Sequence, residues 1–486
     1  MHSHLRTFCL FAGLLLTESC LYAQRTSKPL DERSAEAIIR SRFDPKEVPG
    51  LSVAVMHNGK LILAKGFGLA SIAKNASVTP HTRFPIGSVT KQFTSACILL
   101  LAEDGKLSVQ DKVSKYYPKL TDANNITLLD LMNHVSGYPD YYPLDFLDRR
   151  MTKPIDPDKL LSEYAGGKLD FEPGTNWSYS NTGFILLARV AEKVSGEQFG
   201  VFIKKRIFDP IGMEDTVYEP DKLGPEYAER YTTFALSDQQ TAPPEAKGWV
   251  GGAGAIYSTP TDLAKWDLAL MDGKVLKPES YKLMTTPRLL KDGGSAGYGC
   301  GLAIGTRKGT PAFAHGGSVS GSISQNVLYP ATRSAYIFFA NTDVGSDGGA
   351  GRQIEAALLA DYTGRQTPSP AKAASNSAKQ AQLKTPAVAG PSAVDSAKAL
   401  FIALQTGNVD GIKLSKEFRF YLNKKRLTEA AKRLKPLGEP KNVHAGPASE
   451  RGGMEVRYVS LTAGGKTLGG ALYRMPDGTI EQWLVR

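Results

Sequence analysis

One stretch limits what this chain can fold into more than any other: Gln366–Ser392, QTPSPAKAASNSAKQAQLKTPAVAGPS. It is rich in Pro, Ala, Ser and Lys and holds no aromatic residue. Such a segment buries too little apolar surface to offset the entropy of ordering it, so it reads as a flexible linker. A chain of 486 residues interrupted there must build its cores on either side. The reading is a large domain over residues 24–365, the linker over 366–392 and a small domain over 393–486, with residues 1–23 set apart as an export signal.

Arg6 lies in a short polar start, Phe8–Leu16 is an apolar run too short to cross a bilayer, and Leu21-Tyr22-Ala23 suits a cleavage site. The mature protein is expected to begin near Gln24, to carry no membrane span, and to work in the periplasm or as a secreted protein. Cys20 raises lipidation, for which Thr17-Glu18-Ser19 is a poor lead-in. Cys97 and Cys300 then remain, too few for a disulfide framework. Net charge is +11, but Ala393–Arg486 alone has 16 Lys/Arg against 9 Asp/Glu, while residues 24–365 carry only +1. The basic excess belongs to the tail, and no nucleic-acid partner is expected.

Chemistry is sought first in FPIGSVTKQF, Phe84–Phe93, where Ser88 and Lys91 stand three residues apart. The same Ser-x-x-Lys spacing occurs at Ser71–Lys74 and Ser369–Lys372. The last lies in the linker, which cannot hold a catalytic geometry. Ser71–Lys74 lies in a polar stretch after two strand-like runs, Leu51–Met56 and Leu61–Lys65, joined by a hairpin turn. After Ser88, by contrast, Phe93, Ala96, Cys97, Leu100 and Leu101 mark one helical face, and Ile98 and Leu99 are apolar too. Ser88 thus starts a buried helix, with Lys91 one turn on and on the same side. Two uses are open: a helix cap, or a nucleophile with its activator.

Two further motifs are weak alone. Tyr179-Ser180-Asn181 follows the turn Phe171–Gly174 and opens a helical run, Gly183–Val194; Tyr-x-Asn also occurs at Tyr421–Asn423. A tyrosine beside an ammonium ionises more readily and could take a serine proton, or it could simply be packed. His315-Gly316-Gly317-Ser318 follows the strand-like Ala312–Ala314. Glycines there would let a ligand approach the strand edge, although a lone histidine in a glycine-rich turn reads equally simply. Gly293–Gly297 matches Gly-x-Ser-x-Gly around Ser295, but no strand precedes it and no helix follows. No metal-ligand spacing or phosphate-binding glycine loop is found, so neither metal nor cofactor is expected.

Taken in order, S88-V-T-K91, Y179-S-N181 and H315-G-G317 resemble the signature of the serine beta-lactamase and penicillin-binding superfamily, nearest its class C beta-lactamase, D-alanyl-D-alanine carboxypeptidase and esterase group. The stretches PGLSVAVMHNGKLILAKGFG, ITLLDLMNHVSGYPDYY, IFDPIGMEDT and GGAGAIYSTPTDLAKW are similar to this family too, over about Leu30 to Tyr362. The resemblance implies an α/β (α+β) fold, an antiparallel sheet flanked by helices with a helical subdomain. It implies Ser88 as the acylated nucleophile, Lys91 as its activator, Tyr179 as general base, and Asn181 as a substrate-carbonyl ligand. His315 would take the place of the family's lysine or histidine, on the Gly316-Gly317-Ser318 strand. The backbone N–H groups of Ser88 and Ser318 would form the oxyanion hole. His315 for lysine and Gly316 for threonine make efficient beta-lactam hydrolysis doubtful. The titration of His315 near neutrality would make carboxylate-bearing substrates pH-sensitive. Expected substrates are small esters, peptides or cell-wall fragments; a non-catalytic peptidoglycan-binding protein is the competing class.

Residues 393–486 read as a small α+β domain: helices at Ser396–Leu404 and Leu427–Leu437, then strands near Met454–Leu461, Leu468–Met475 and Thr479–Val485. That order faintly resembles the nuclear-transport-factor-2-like accessory domains. Lys424, Lys425, Arg426, Lys432, Arg433 and Lys435 suggest weak association with an anionic envelope, or a solvated helix face. All three motifs precede the linker, so a chain cut near Arg365 is expected to keep the constellation.

Overall fold

The computed structural model describes residues 30–142, 144–343, 347–360 and 384–486. The export signal, Cys20 and the Ser369–Lys372 pair lie outside the described residues. After α1 (Glu32–Arg40), the hairpin expected around Asn58-Gly59 forms from β1 (Gly50–His57) and β2 (Lys60–Ser71). Both turn residues have positive φ, as a tight two-residue hairpin turn requires. A short β3 (Ala76–Ser77) borders β2. The buried helix α2 (Thr90–Glu103) and helix α3 (Asn181–Ser195) follow. Then come β4 (Ala303–Arg307), β5 (Thr310–Val319), β6 (Ser322–Tyr329), β7 (Ser334–Ala340) and α4 (Ala350–Leu358). The sheet runs β3-β2-β1-β7-β6-β5-β4, and each pairing is antiparallel.

This sheet is covered on both faces, which explains why β1 is apolar almost throughout. Leu51, Val53 and Val55 pack with Ala35, Ile39 and Ile354 of α1 and α4. Ala54 and Met56 point the other way, into a core shared with Phe93 and Ile98 of α2 and Phe184 and Leu187 of α3. Helix α2 is buried from Thr90 to Leu101. A lysine fully buried within it is costly unless its charge is lost or compensated, which directs attention to Lys91.

The C-terminal unit has three helices, α5 (Ala393–Thr406), α6 (Lys416–Tyr421) and α7 (Lys424–Leu434), and not two. Its sheet comprises β8 (Lys441–Ala445), β9 (Ser449–Arg451), β10 (Met454–Ala463), β11 (Lys466–Arg474) and β12 (Ile480–Trp483), ordered β8-β10-β11-β12 with β9 also on β10. The unit is firmly docked. Phe146, Phe234 and Ala235 of the large domain join its apolar cluster, with the Phe146 ring 4.7 Å from that of Tyr421. Gln482 bonds Asp145, and Arg149 pairs with Glu417. Two of the six cations expected on a free basic face are engaged: Arg433 donates to Ala235 O, and Arg426 to Tyr421 O. Among the described residues no helix is long and apolar enough to cross a membrane.

Candidate active site

Gly87–Val89 make one 3₁₀ turn that leads into α2. Gly87 has φ +49, and a Cβ there would lie 2.8 Å from Ser318 N. Only glycine tolerates that conformation and that closeness. Of the two uses left open at Ser88, the helix cap is not seen, since no side chain caps this helix start. Instead Ser88 Oγ lies 3.0 Å from Lys91 Nζ.

Lys91 has no solvent exposure. Its Nζ lies 2.7 Å from Asn181 Oδ1 and 2.8 Å from Ala253 O, both acceptors only, besides Ser88 Oγ. Burial holds its pKa well below the ordinary 10.5. An ammonium would donate to all three oxygens; the amine that burial favours would donate to the two acceptor-only oxygens and turn its lone pair to Ser88 Oγ.

Tyr179 is set by the loop before α3. Its ring centroid is 4.8 Å from Lys91 Nζ and 4.3 Å from the His134 ring. Its hydroxyl is buried, close to Ser88, and makes no well-formed hydrogen bond with a described residue. Burial raises the phenol's pKa. The sequence argument expected an ammonium to draw out the phenolate; burial acts the other way on both groups, favouring the amine and the phenol. Asn181 is not free to serve a substrate first. Its Oδ1 accepts from Lys91, while Nδ2 donates to Asp140 at 3.0 Å and to Tyr142 O at 3.3 Å.

His315 is buried on β5. Nδ1 lies 2.5 Å from Gly316 O and therefore donates; Nε2 lies 2.7 Å from the Tyr298 hydroxyl and accepts from it. Burial, then the nearby Lys91, depress its pKa to about 3. The expectation that it changes charge near neutrality is at odds with this burial, which favours the neutral ring.

Strand β4 pairs with β5 only as far as Ala303↔Ala314. From His315 to Val319 that edge of β5 has no strand partner among the described residues, while the other edge stays on β6. This stretch of β5 lies against the Ser88 turn. A Cβ on Gly317 would lie 2.0 Å from Ile86 O, so the motif's second glycine lets the two backbones meet. Ser88, Asn181, Ser318, Tyr142 and Arg451 line one cavity. The decoys lie elsewhere: Lys74 is exposed and pairs with Glu229, Asn423 caps α7, and Ser295 sits in a loop where it accepts from Gly297 N.

Several site residues were not singled out from sequence. Asp140, His134 and Tyr298 lie between the motifs, the first two within ITLLDLMNHVSGYPDYY. His134 accepts from Ser180 N through Nδ1 at 3.1 Å, and burial keeps it neutral. Its φ of +60 is unusual for a non-glycine residue. All three motifs precede the linker, and Arg451, from beyond it, also lines this cavity.

A family model described as "Beta-lactamase" matches residues 35–360. The chain is 30% identical over 310 residues to penicillin-binding protein 4* of Bacillus subtilis, covering 60% of this chain and 68% of that protein. It is 29% identical over 331 residues to a D-aminopeptidase of Brucella canis, covering 68% of this chain and 63% of that one. Among solved structures, a penicillin-binding protein from Bacillus halodurans aligns with TM-score 0.58 and 27% identity over 66% of this chain and 98% of its own. The octameric penicillin-binding protein homologue of Pyrococcus abyssi shares the fold across 93% of this chain and 99% of its own, with TM-score 0.61 and 20% identity. The family match takes in every strand of the seven-stranded sheet and all three motifs, and the chain accordingly belongs to the beta-lactamase family and is a serine hydrolase.

Proposed function

We propose that this protein is an exported hydrolase of D-amino-acid amides, short D-peptides or related esters, working through an acyl-enzyme on Ser88. The observation that carries the reading is the open β5 edge, His315–Val319, set against the Ser88 turn. An extended peptide or amide can lie along it by main-chain hydrogen bonds. The name of the Brucella relative, D-aminopeptidase, supports the stereochemistry. Export rests on Arg6, Phe8–Leu16 and Leu21-Tyr22-Ala23.

In the first step Ser88 Oγ attacks the substrate carbonyl carbon and its proton passes to the Lys91 amine. The N–H groups of Ser88 and Ser318 receive the developing oxyanion; each such donor is worth roughly 3 kcal/mol of barrier. The Tyr179 phenol, unpaired at rest, gives its proton to the leaving nitrogen or oxygen and regains one from Lys91. Water then attacks the acyl-enzyme, giving up a proton through the same pair, and Ser88 leaves with it. Tyr179 is therefore a proton carrier to the leaving group, and Lys91 the resting base.

Beta-lactam turnover is the less favoured activity, because neutral His315 offers no cation to a lactam carboxylate. Envelope association would rest on Lys424, Lys425, Lys432 and Lys435, which are exposed. The test is initial rates for D- and L-phenylalanine amide, D-alanyl-D-alanine peptides, a p-nitrophenyl ester and nitrocefin, with wild type and Ser88→Ala. Preference for the D-amide and its loss in Ser88→Ala are expected. Equal rates on the L-amide, or nitrocefin as best substrate, would reject the substrate class. No hydrolysis of any compound would favour the binding-protein reading.

A further inference from the structure

Strands β9 and β10 are joined by Gly452-Gly453, at φ +58 and +75, with Arg451 opposite Met454. This is a tight hairpin whose tip belongs to the C-terminal unit but enters the large domain. There Arg451 Nε donates to Asp140 Oδ2 at 3.1 Å and Nη2 to Tyr142 O at 2.8 Å. Its guanidinium carbon stands 5.5 Å from the Tyr179 ring centroid, on the wall of the cavity that holds Ser88. Asp140 also accepts from Asn181 N at 3.1 Å, Asn181 Nδ2 at 3.0 Å and Tyr142 N at 3.1 Å. Asn181 Oδ1 meets Lys91 Nζ, and Nζ meets Ser88 Oγ. The contacts Arg451–Asp140–Asn181–Lys91–Ser88 run unbroken from the accessory unit to the nucleophile.

We propose that Arg451 is a positioning residue of the catalytic apparatus: delivered by the C-terminal unit, it neutralises Asp140 and so keeps Lys91 as an amine aimed at Ser88. A buried carboxylate one residue removed from a buried lysine favours the ammonium, which has no lone pair for the Ser88 proton. Arg451 opposes that effect; the charge of Asp140 raises the Lys91 pKa and that of Arg451 lowers it. The other groups around Lys91 do not compete. Tyr179 and Tyr298 have phenols raised by burial, and His134 and His315 are held neutral by it. Around Arg451 itself lie Asp145, Glu450 and Tyr473; Gln482 engages Asp145, while burial raises Glu450 and Tyr473 toward their neutral forms. The accessory unit is in this account part of the active site. The inference rests on Lys91 being the base.

The test is kcat/KM against pH for a neutral p-nitrophenyl ester, using the full chain. Arg451→Gln keeps a hydrogen-bond donor near Asp140 and removes the charge, so it disturbs folding less than Arg451→Ala. In Arg451→Gln the acid limb should move up by on the order of one pH unit, about a tenfold loss below the limb and little above it. Arg451→Lys should stay near wild type. Adding Asp140→Asn to Arg451→Gln should bring the limb back, because the uncompensated charge is gone. An unmoved limb in Arg451→Gln, a loss equal at all pH values, or a loss confined to carboxylate-bearing substrates would overturn the proposal, the last by making Arg451 a substrate contact. Fluorophosphonate labelling of Ser88 at high pH should remain complete in these variants. Wild type that takes no label at any pH would sink the base reading and this inference with it.

Discussion

Two neighbouring glycines on β5 should differ sharply. At Gly317 a Cβ would sit 2.0 Å from Ile86 O and 2.3 Å from Ser324 Oγ, about 1.4 Å short of ordinary contact with the carbonyl. Ile86 O already accepts from Ser324 Oγ at 2.7 Å, and Ile86 N donates to Ile256 O at 2.9 Å. The carbonyl therefore cannot retreat alone, and relief must move β5 away from the turn that carries Ser88. A displacement near 1 Å costs on the order of 100-fold in rate, and a misplaced oxyanion donor costs about 10²–10³. Gly317→Ala should thus lower kcat/KM by roughly 10²–10³. At Gly316 the nearest atom is Gln325 Oε1 at 3.3 Å, the end of a flexible side chain, and the position is exposed. Gly316→Ala should stay within about 0.5 kcal/mol, roughly a factor of two. The assay is ester kcat/KM and fluorophosphonate labelling rate, with thermal melts to show that both variants fold. Wild-type kinetics in Gly317→Ala, or equal damage from Gly316→Ala, would refute the close apposition of strand and turn.

Lys91→Met should abolish ester turnover. Because folding leaves Lys91 unprotonated well below 10.5, the unfolded chain binds one more proton there. Wild-type stability relative to Lys91→Met should therefore rise with pH toward 10.5, by at most about 1.4 kcal/mol per unit; urea melts at pH 7 and 9 measure it, and a difference that falls with pH contradicts it. With His315 neutral down to about 3, kcat/KM profiles for a neutral ester and a carboxylate substrate should run parallel between pH 6 and 8; a carboxylate-specific decline there would restore the charge argument. Cys97 and Cys300 are buried and unpaired, and burial pushes the Cys300 thiol up to about 12. Both should resist maleimide in the native protein and react in urea; native labelling of Cys97 would contradict the packing of α2, and of Cys300 that of the segment before β4.

The motif residues were legible because each sits on a strong local signal. Ser88 precedes an apolar helix and Lys91 lies in its first turn, Tyr179 precedes another, and two glycines follow His315 on its strand. Protonation states were not legible in that way. The lowered pKa values of Lys91 and His315 come chiefly from burial, which is built by segments distant in sequence. The Ser88 cap reading fell for a similar reason, since the hydroxyl's partner is a side chain on the next turn. In the C-terminal unit α6 and β9 are only 6 and 3 residues long, too short for periodicity to register. The Gly452-Gly453 hairpin before Met454 was not picked out from sequence, and where its tip docks is set by the Phe146 and Phe234 interface, which no local pattern carries.

The central claim is that Ser88 is the acylated nucleophile, activated by Lys91. The most direct measurement is peptide mass mapping after brief exposure of the full chain to a fluorophosphonate. One adduct on the peptide containing Ser88 is expected, absent in Ser88→Ala and strongly slowed in Lys91→Met. An adduct on Ser295 or another serine, with Ser88 unmodified, would contradict the account.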